Sequence, residues 1–174
     1  FNVSPTYAVV LGSSGDTPLS LLELTGTLLN DGILEKNISA IERIILAPGS
    51  EFETPFKNKR IQERIIPEDV ARVASKAMEG VLHKGTAIFA SRHPLMDYVK
   101  SSGAKTGTGD NRHNQVPVNR SAAVLSVLDN GEGQSKYAIC ITMSVTKGDI
   151  RRYQFTSKIP VRILSRIADH LTPI

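Results

Sequence analysis

The feature that most constrains this chain is a turn, Asp129-Asn130-Gly131-Glu132-Gly133, set between two strand-like runs, Arg120 to Leu128 and Tyr137 to Val145. Asn-Gly and glycine-rich turns supply the positive φ angles that a tight connection needs, so this segment reads as a β-hairpin. Pro160 to Leu171 follows, with Val161, Leu164, Ile167 and Leu171 at helical spacing. A hairpin followed by an amphipathic helix implies an antiparallel sheet covered by that helix, hence an α+β fold.

Two earlier helices support that class. Thr17 and Pro18 form a helix start, the first as N-cap and the second at the first helical position. Leu21, Leu22, Leu24, Leu28 and Leu29 then give a broad apolar stripe expected in the core, and Asn30-Asp31-Gly32 ends it with Gly32 left-handed. The second helix starts at Pro67-Glu68-Asp69, where acidic residues complement the helix dipole. Val70, Val73, Ala74, Ala77, Met78, Val81 and Leu82 mark its apolar face, and Lys84-Gly85 closes it. Between the helices, Ile33 to Ile65 is irregular: Ile41 to Leu46 reads as a strand, and Ala47 to Arg60 as a loop or insertion.

Length and charge set outer limits. A chain of 174 residues is one domain's worth and can bury a real core. No apolar run reaches the roughly 18 residues needed to cross a bilayer. The chain starts at Phe1 with neither initiator methionine nor signal peptide, which leads us to expect a processed chain or an excised piece. A net charge of +4 permits an acidic partner. The basic residues are scattered, however, grouping only at Lys57-Asn58-Lys59-Arg60 and Arg151-Arg152 without interleaved aromatics, so no nucleic-acid partner is expected. Cys140 is the only cysteine and lies in an apolar run, which excludes an internal disulfide and suggests a buried, inert thiol. His83, His93, His113 and His170 lack metal-ligand spacing, so neither metal nor cofactor is expected.

One stretch carries chemistry. Ser102 to Asp110 reads SGAKTGTGD, with the run Lys105-Thr106-Gly107-Thr108 between a strand-like piece (Met96, Tyr98, Val99) and a polar loop, Gly109 to Asn119. A cation, two hydroxyls and a glycine on a short extended segment can cradle a carboxylate. Lysine supplies charge, the threonines supply donors, and glycine leaves room for close approach. A nucleotide-binding loop is disfavoured. Ala104 stands where glycine should precede the lysine, and Gly109-Asp110-Asn111 follows where a helix should start.

Taken in order, the helix of GSSGDTPLSLLELTGTLLNDG, the helix of RIIPEDVARVASKAMEGVLHKGTA ending in Gly85-Thr86-Ala87, the Lys-Thr-Gly-Thr strand, the hairpin and the closing helix resemble one known arrangement. It is the C-terminal half of the transpeptidase domain of penicillin-binding proteins, among the serine penicillin-recognising enzymes. Of the three signatures of that superfamily, Ser-x-x-Lys, Ser-Asp-Asn and Lys-Thr-Gly, only the last is convincingly present. Ser102-Gly103-Ala104-Lys105 matches the first but overlaps the third, and two nearby glycines make it a poor helix, so the match reads as accidental. No Ser-x-Asn occurs.

The resemblance implies a partial transpeptidase or β-lactamase-like domain spanning residues 1–174, lacking its N-terminal strands and its nucleophile helix. It implies a serine-type acyl transferase, a peptidoglycan D,D-transpeptidase, acting through the full-length protein, with this chain inactive alone. Lys105 would take the electrostatic and proton-relay position facing the nucleophile. Thr106 and Thr108 would bind the carboxylate of a D-alanyl-D-alanine stem peptide or a β-lactam. Gly107 would keep the strand flush against that ligand, and the Thr108 N–H would be an oxyanion donor. Partners would be the stem peptide, β-lactams, and the N-terminal half of the domain or a companion chain. The site would lie at the periplasmic or extracellular face of the cytoplasmic membrane, in a membrane-anchored parent protein. Ala104 before the lysine, and RSAAVLSV without an aromatic-Phe-x-Gly pattern, depart from many relatives. A D,D-carboxypeptidase, an inactive relative, and a non-catalytic module for wall peptide or protein stay open beside the transpeptidase.

Overall fold

The computed structural model describes residues 7, 12, 16–36, 39–93, 99–129, 131, 136–167 and 170. Helix α1 (Pro18–Leu29) starts as its sequence requires: Thr17 is extended, its side chain accepts from the Ser20 N–H, and Pro18 opens the helix. It ends on two left-handed residues, Asp31 and Gly32. Glycine is obligatory at the second, because a Cβ there would lie 2.1 Å from the Ile66 carbonyl oxygen. The leucine stripe is less of a core than its spacing implies. Leu21, Leu22, Leu24, Leu28 and Leu29 are all half-buried. The buried residues are Thr25 and Thr27, whose hydroxyls donate back to the Leu21 and Glu23 carbonyls at 2.6 and 2.7 Å.

The segment expected to be irregular is two nested hairpins. Strands β1 (Ile33–Lys36) and β4 (Ile61–Arg64) pair antiparallel, and between them β2 (Arg43–Leu46) pairs with β3 (Thr54–Lys57). The strand expected at Ile41 to Leu46 is therefore present, but Ala47 to Arg60 is a turn and returning strand rather than a plain loop. Pro55 is tolerated because β3 belongs to a two-stranded ribbon and one edge of it needs no donor.

Helix α2 (Glu68–Lys84) carries Glu68 and Asp69 in its first turn, as expected. Only part of its apolar stripe is covered: Ala71, Met78 and Leu82 are buried, whereas Val70 and Val73 are exposed. A short helix, α3 (Ile88–Ser91), follows. Of the strand-like piece expected before the lysine, Met96 and Tyr98 lie outside the described residues.

The main sheet is antiparallel with order β5-β6-β7, from β5 (Ser101–His113), β6 (Val116–Asp129) and β7 (Lys136–Thr146). The expected β6–β7 hairpin is present, with Asp129 facing Lys136. The polar loop expected at Gly109 to Asn119 is instead a second hairpin. Asn114 and Gln115 both take positive φ, the two-residue turn that suits twisted strands. A register shift next to Asn111 and Arg112 leaves Val118 unpaired. Helices α4 (Lys147–Arg152), not anticipated, and α5 (Lys158–Ile167) complete the chain. The last helix starts slightly earlier than expected, and Leu171 lies outside the described residues.

The core forms on one sheet face. Ala104 and Val124 pack with Leu82 of α2, Ala87 and Ala90 around α3, and Val161 and Leu164 of α5. On the opposite face α1 approaches β7 closely enough that a Cβ on Gly26 would lie 3.9 Å from Ala138 Cβ. Cys140 is half-buried there, and burial pushes its thiol pKa up, in keeping with an inert side chain. Among the described residues, no strand pairs with the outer edge of β7. An α+β architecture with helices on an antiparallel sheet is thus confirmed, and among the described residues both outer strands of that sheet, β5 and β7, have a free edge.

Gly103 fixes the seat of α2 on β5. A Cβ there would lie 2.8 Å from Met78 Cβ and 3.1 Å from its backbone carbonyl carbon. Gly103→Ala is expected to lower stability by about 1–3 kcal/mol through overpacking, measured as a shift of the urea midpoint. An unchanged midpoint would mean that α2 is not seated this closely.

Candidate functional site

The Lys105-Thr106-Gly107-Thr108 run lies within β5 itself, paired with Leu125, Val124, Ala123 and Ala122 of β6. Because side chains alternate along a strand, Ala104, Thr106 and Thr108 share one face, and Lys105 and Gly107 the other. The cation and the two hydroxyls that were expected to converge are therefore held by different neighbours. Lys105 is exposed, and its Nζ donates to the Thr106 carbonyl at 2.6 Å. To meet a ligand it has to leave, among the described residues, a contact with its own strand.

Each threonine is backed by a polar group. Thr106 Oγ1 lies 2.5 Å from Thr86 Oγ1, on the segment that leaves α2. Thr108 Oγ1 accepts from the Ser157 N–H at 3.2 Å, just before α5. An amide can only donate, so that contact leaves the Thr108 proton free for an acceptor. Gly107 has open space on its Cα: an added Cβ would meet nothing within 4 Å. No internal packing demands glycine there, and the room it leaves faces outward.

Two residues past Thr108, Asp110 and its cross-strand partner Arg120 form a two-pronged ion pair at 2.7 and 3.2 Å. The Arg120 hydrogen bonds hold the Asp110 carboxyl below its ordinary range, with Arg112 adding positive charge nearby. This clip ties β5 to β6 where the long hairpin leaves the sheet. A cleft of about 560 Å³ opens between β5, β6, β7 and the start of α1, lined by neither Lys105 nor Thr106. Gly107, Asp110, Ser121, Thr142 and Pro18 are among its lining residues.

Neither serine-lysine match offers a nucleophile. Ser102 is 5% exposed within β5, so the motif overlapping Lys105 is strand, as its glycines implied. A second match, Ser144-Val145-Thr146-Lys147, escapes the motif reading above. Its serine is on β7 and its lysine opens α4, so no helical turn stacks one over the other. Among the described residues, no cluster of His, Cys, Asp and Glu could hold a metal, and no helix is long and apolar enough to cross a membrane. The Thr86–Thr106 contact could not be seen in advance, since the hydroxyls are far apart in the chain and no spacing rule joins them.

No protein-family model and no curated protein sequence matches the chain. Solved structures do. Penicillin-binding protein A from Mycobacterium tuberculosis superposes with a TM-score of 0.61 at 17% identity, covering 88% of this chain and 32% of that one. The same protein as a ceftriaxone acyl-enzyme complex superposes with a TM-score of 0.60 at 17% identity, covering 87% and 32%. This chain thus spans about a third of the length of the structures it matches. The likeness is one of fold, and the fold is that of part of a penicillin-binding protein.

Proposed function

We propose that residues 1–174 are the C-terminal portion of a penicillin-binding transpeptidase domain, supplying the Lys-Thr-Gly side of an acyl-transfer site. The observation that carries this reading is the Lys105-to-Thr108 run. It lies on an edge strand with its lysine exposed and a free proton on Thr108, inside a fold shared with a protein that forms an acyl-enzyme with ceftriaxone. The half-buried leucines of α1 and the open edge of β7 support it, since both are surfaces that the rest of such a domain would cover.

In this reading a serine from outside residues 1–174 attacks the penultimate carbonyl of a D-alanyl-D-alanine stem peptide. The ammonium of Lys105 swings off the Thr106 carbonyl towards that serine, favouring the negative charge that develops there. The Thr108 N–H and the serine's own N–H bind the tetrahedral oxyanion. Fixed donors at that position are worth about 100- to 1,000-fold in rate each. Thr106 and Thr108 hydroxyls hold the terminal carboxylate, the D-alanine leaves with a proton, and an amine of a second stem peptide takes the acyl group. A β-lactam enters the same site through its own carboxylate and acylates the serine without a departing fragment. Because the polymer lies outside the cytoplasm, so does the proposed site, in a parent protein held at the membrane.

Covalent labelling of the full-length protein by a fluorescent penicillin tests this. The expected result is a saturable, time-dependent adduct that unlabelled β-lactam competes away. A full-length protein that forms none under native conditions would rule the reading out.

A further inference from the structure

Thr86 and Thr106 come from stretches 20 residues apart and meet hydroxyl to hydroxyl at 2.5 Å. The position of Thr86 is fixed from both sides. Gly85 packs so tightly that a Cβ on it would lie 2.8 Å from the Val81 carbonyl oxygen, and Ala87 is fully buried. A hydroxyl has one proton and two lone pairs, so it donates once only. If Thr106 gives its proton to Thr86, it offers a ligand nothing but lone pairs, the wrong polarity for an anion. If Thr86 gives its proton to Thr106, the Thr106 proton is free for a carboxylate. A carboxylate favours the second arrangement, because donating to it enriches the Thr106 oxygen and improves that oxygen as an acceptor. Thr108 shows the same device with the choice removed, since the group behind it is the Ser157 amide, which can only donate.

We infer that Thr86 is a positioning residue for Thr106: its hydroxyl donates to Thr106 Oγ1 and so directs the Thr106 proton at the carboxylate of the ligand. The inference rests on the function proposed above. It adds to that function a residue from the Gly85-Thr86-Ala87 turn, and a reason why the two threonines of the run, each backed by a donor, act alike towards an anion.

The test compares acylation rate constants of the full-length protein with benzylpenicillin and with its methyl ester, which lacks the anionic carboxylate. Thr86→Val removes the donor at nearly constant shape, and Thr86→Ser retains it. Thr86→Val should slow reaction with the free acid by about tenfold, as expected for weakening a hydrogen bond to a charged group. It should leave the ester rate unchanged, while Thr86→Ser keeps the wild-type preference for the acid. A merely structural defect would slow acid and ester alike, and that result would overturn the inference. So would a Thr86→Val variant that keeps the wild-type acid-to-ester ratio, or a wild-type protein that does not prefer the acid. If the wild-type protein reacts with neither compound, the proposed function itself falls, and this inference with it.

Discussion

Lys105→Ala in the full-length protein is expected to slow acylation by a penicillin by at least about tenfold, equivalent to about 1.4 kcal/mol of transition-state stabilisation. That is a modest demand on a charged group in the position proposed for Lys105, beside a reacting serine. The side chain is exposed and, among the described residues, bonds to the Thr106 carbonyl of its own strand, so the fold gains little from it. Removing it should leave stability within about 0.5 kcal/mol of wild type, as for other surface substitutions. Lys105→Arg should not rescue the rate. A guanidinium is bulkier, planar and permanently protonated, so it neither occupies the space of an ammonium nor passes a proton. Stopped-flow acylation alongside urea denaturation separates the two effects. An unchanged acylation rate in Lys105→Ala would remove this residue from the site.

Leu82→Ala is expected to have the largest effect on the fold. Leu82 is fully buried where α2 meets Ala104, Val124 and α5. Truncating such a leucine typically costs about 2–5 kcal/mol, from lost transfer energy and the cavity left behind. That is a large share of the roughly 5–15 kcal/mol that holds an ordinary domain together. Leu24→Ala on half-buried α1 should cost clearly less in residues 1–174. In the full-length protein its cost should rise if, as proposed, further parts of a transpeptidase domain pack on that face. Equal costs in both settings would mean that nothing outside this chain packs on α1.

The parts of this fold legible in the sequence are those where local chemistry and burial agree. Thr17-Pro18 caps α1, Asp31-Gly32 ends it, and the apolar runs on either side of the expected turn, which apart from Asp129 and Gly131 lies outside the described residues, pair as the β6–β7 hairpin. The parts that were not legible lack one of these signals. Strands β1 to β4 are only four residues long and mostly exposed, so no alternation marks them. The outer β5–β6 arm pairs a polar run, 109–113, with exposed Val116 and Val118, and turns on Asn114-Gln115, without the glycine that usually marks such a turn. Apolar periodicity located α1 and α2 correctly but overstated their burial, because spacing reports which face is apolar and not whether anything covers it. At the candidate site, residue types singled out Lys105, Gly107, Thr106 and Thr108 as a possible carboxylate cradle. Strand alternation then separated Lys105 from the hydroxyls, and tertiary contacts supplied Thr86 and Ser157 as their neighbours.

The most direct test of the central claim is mass-spectrometric mapping of the penicillin adduct, run in parallel on residues 1–174 and on the full-length protein. A carboxylate cradle without an activated nucleophile cannot form an acyl-enzyme. The account predicts no adduct on the isolated chain, and in the full-length protein a single adduct on a serine outside residues 1–174. An adduct on Ser102 or Ser144 of the isolated chain would contradict it.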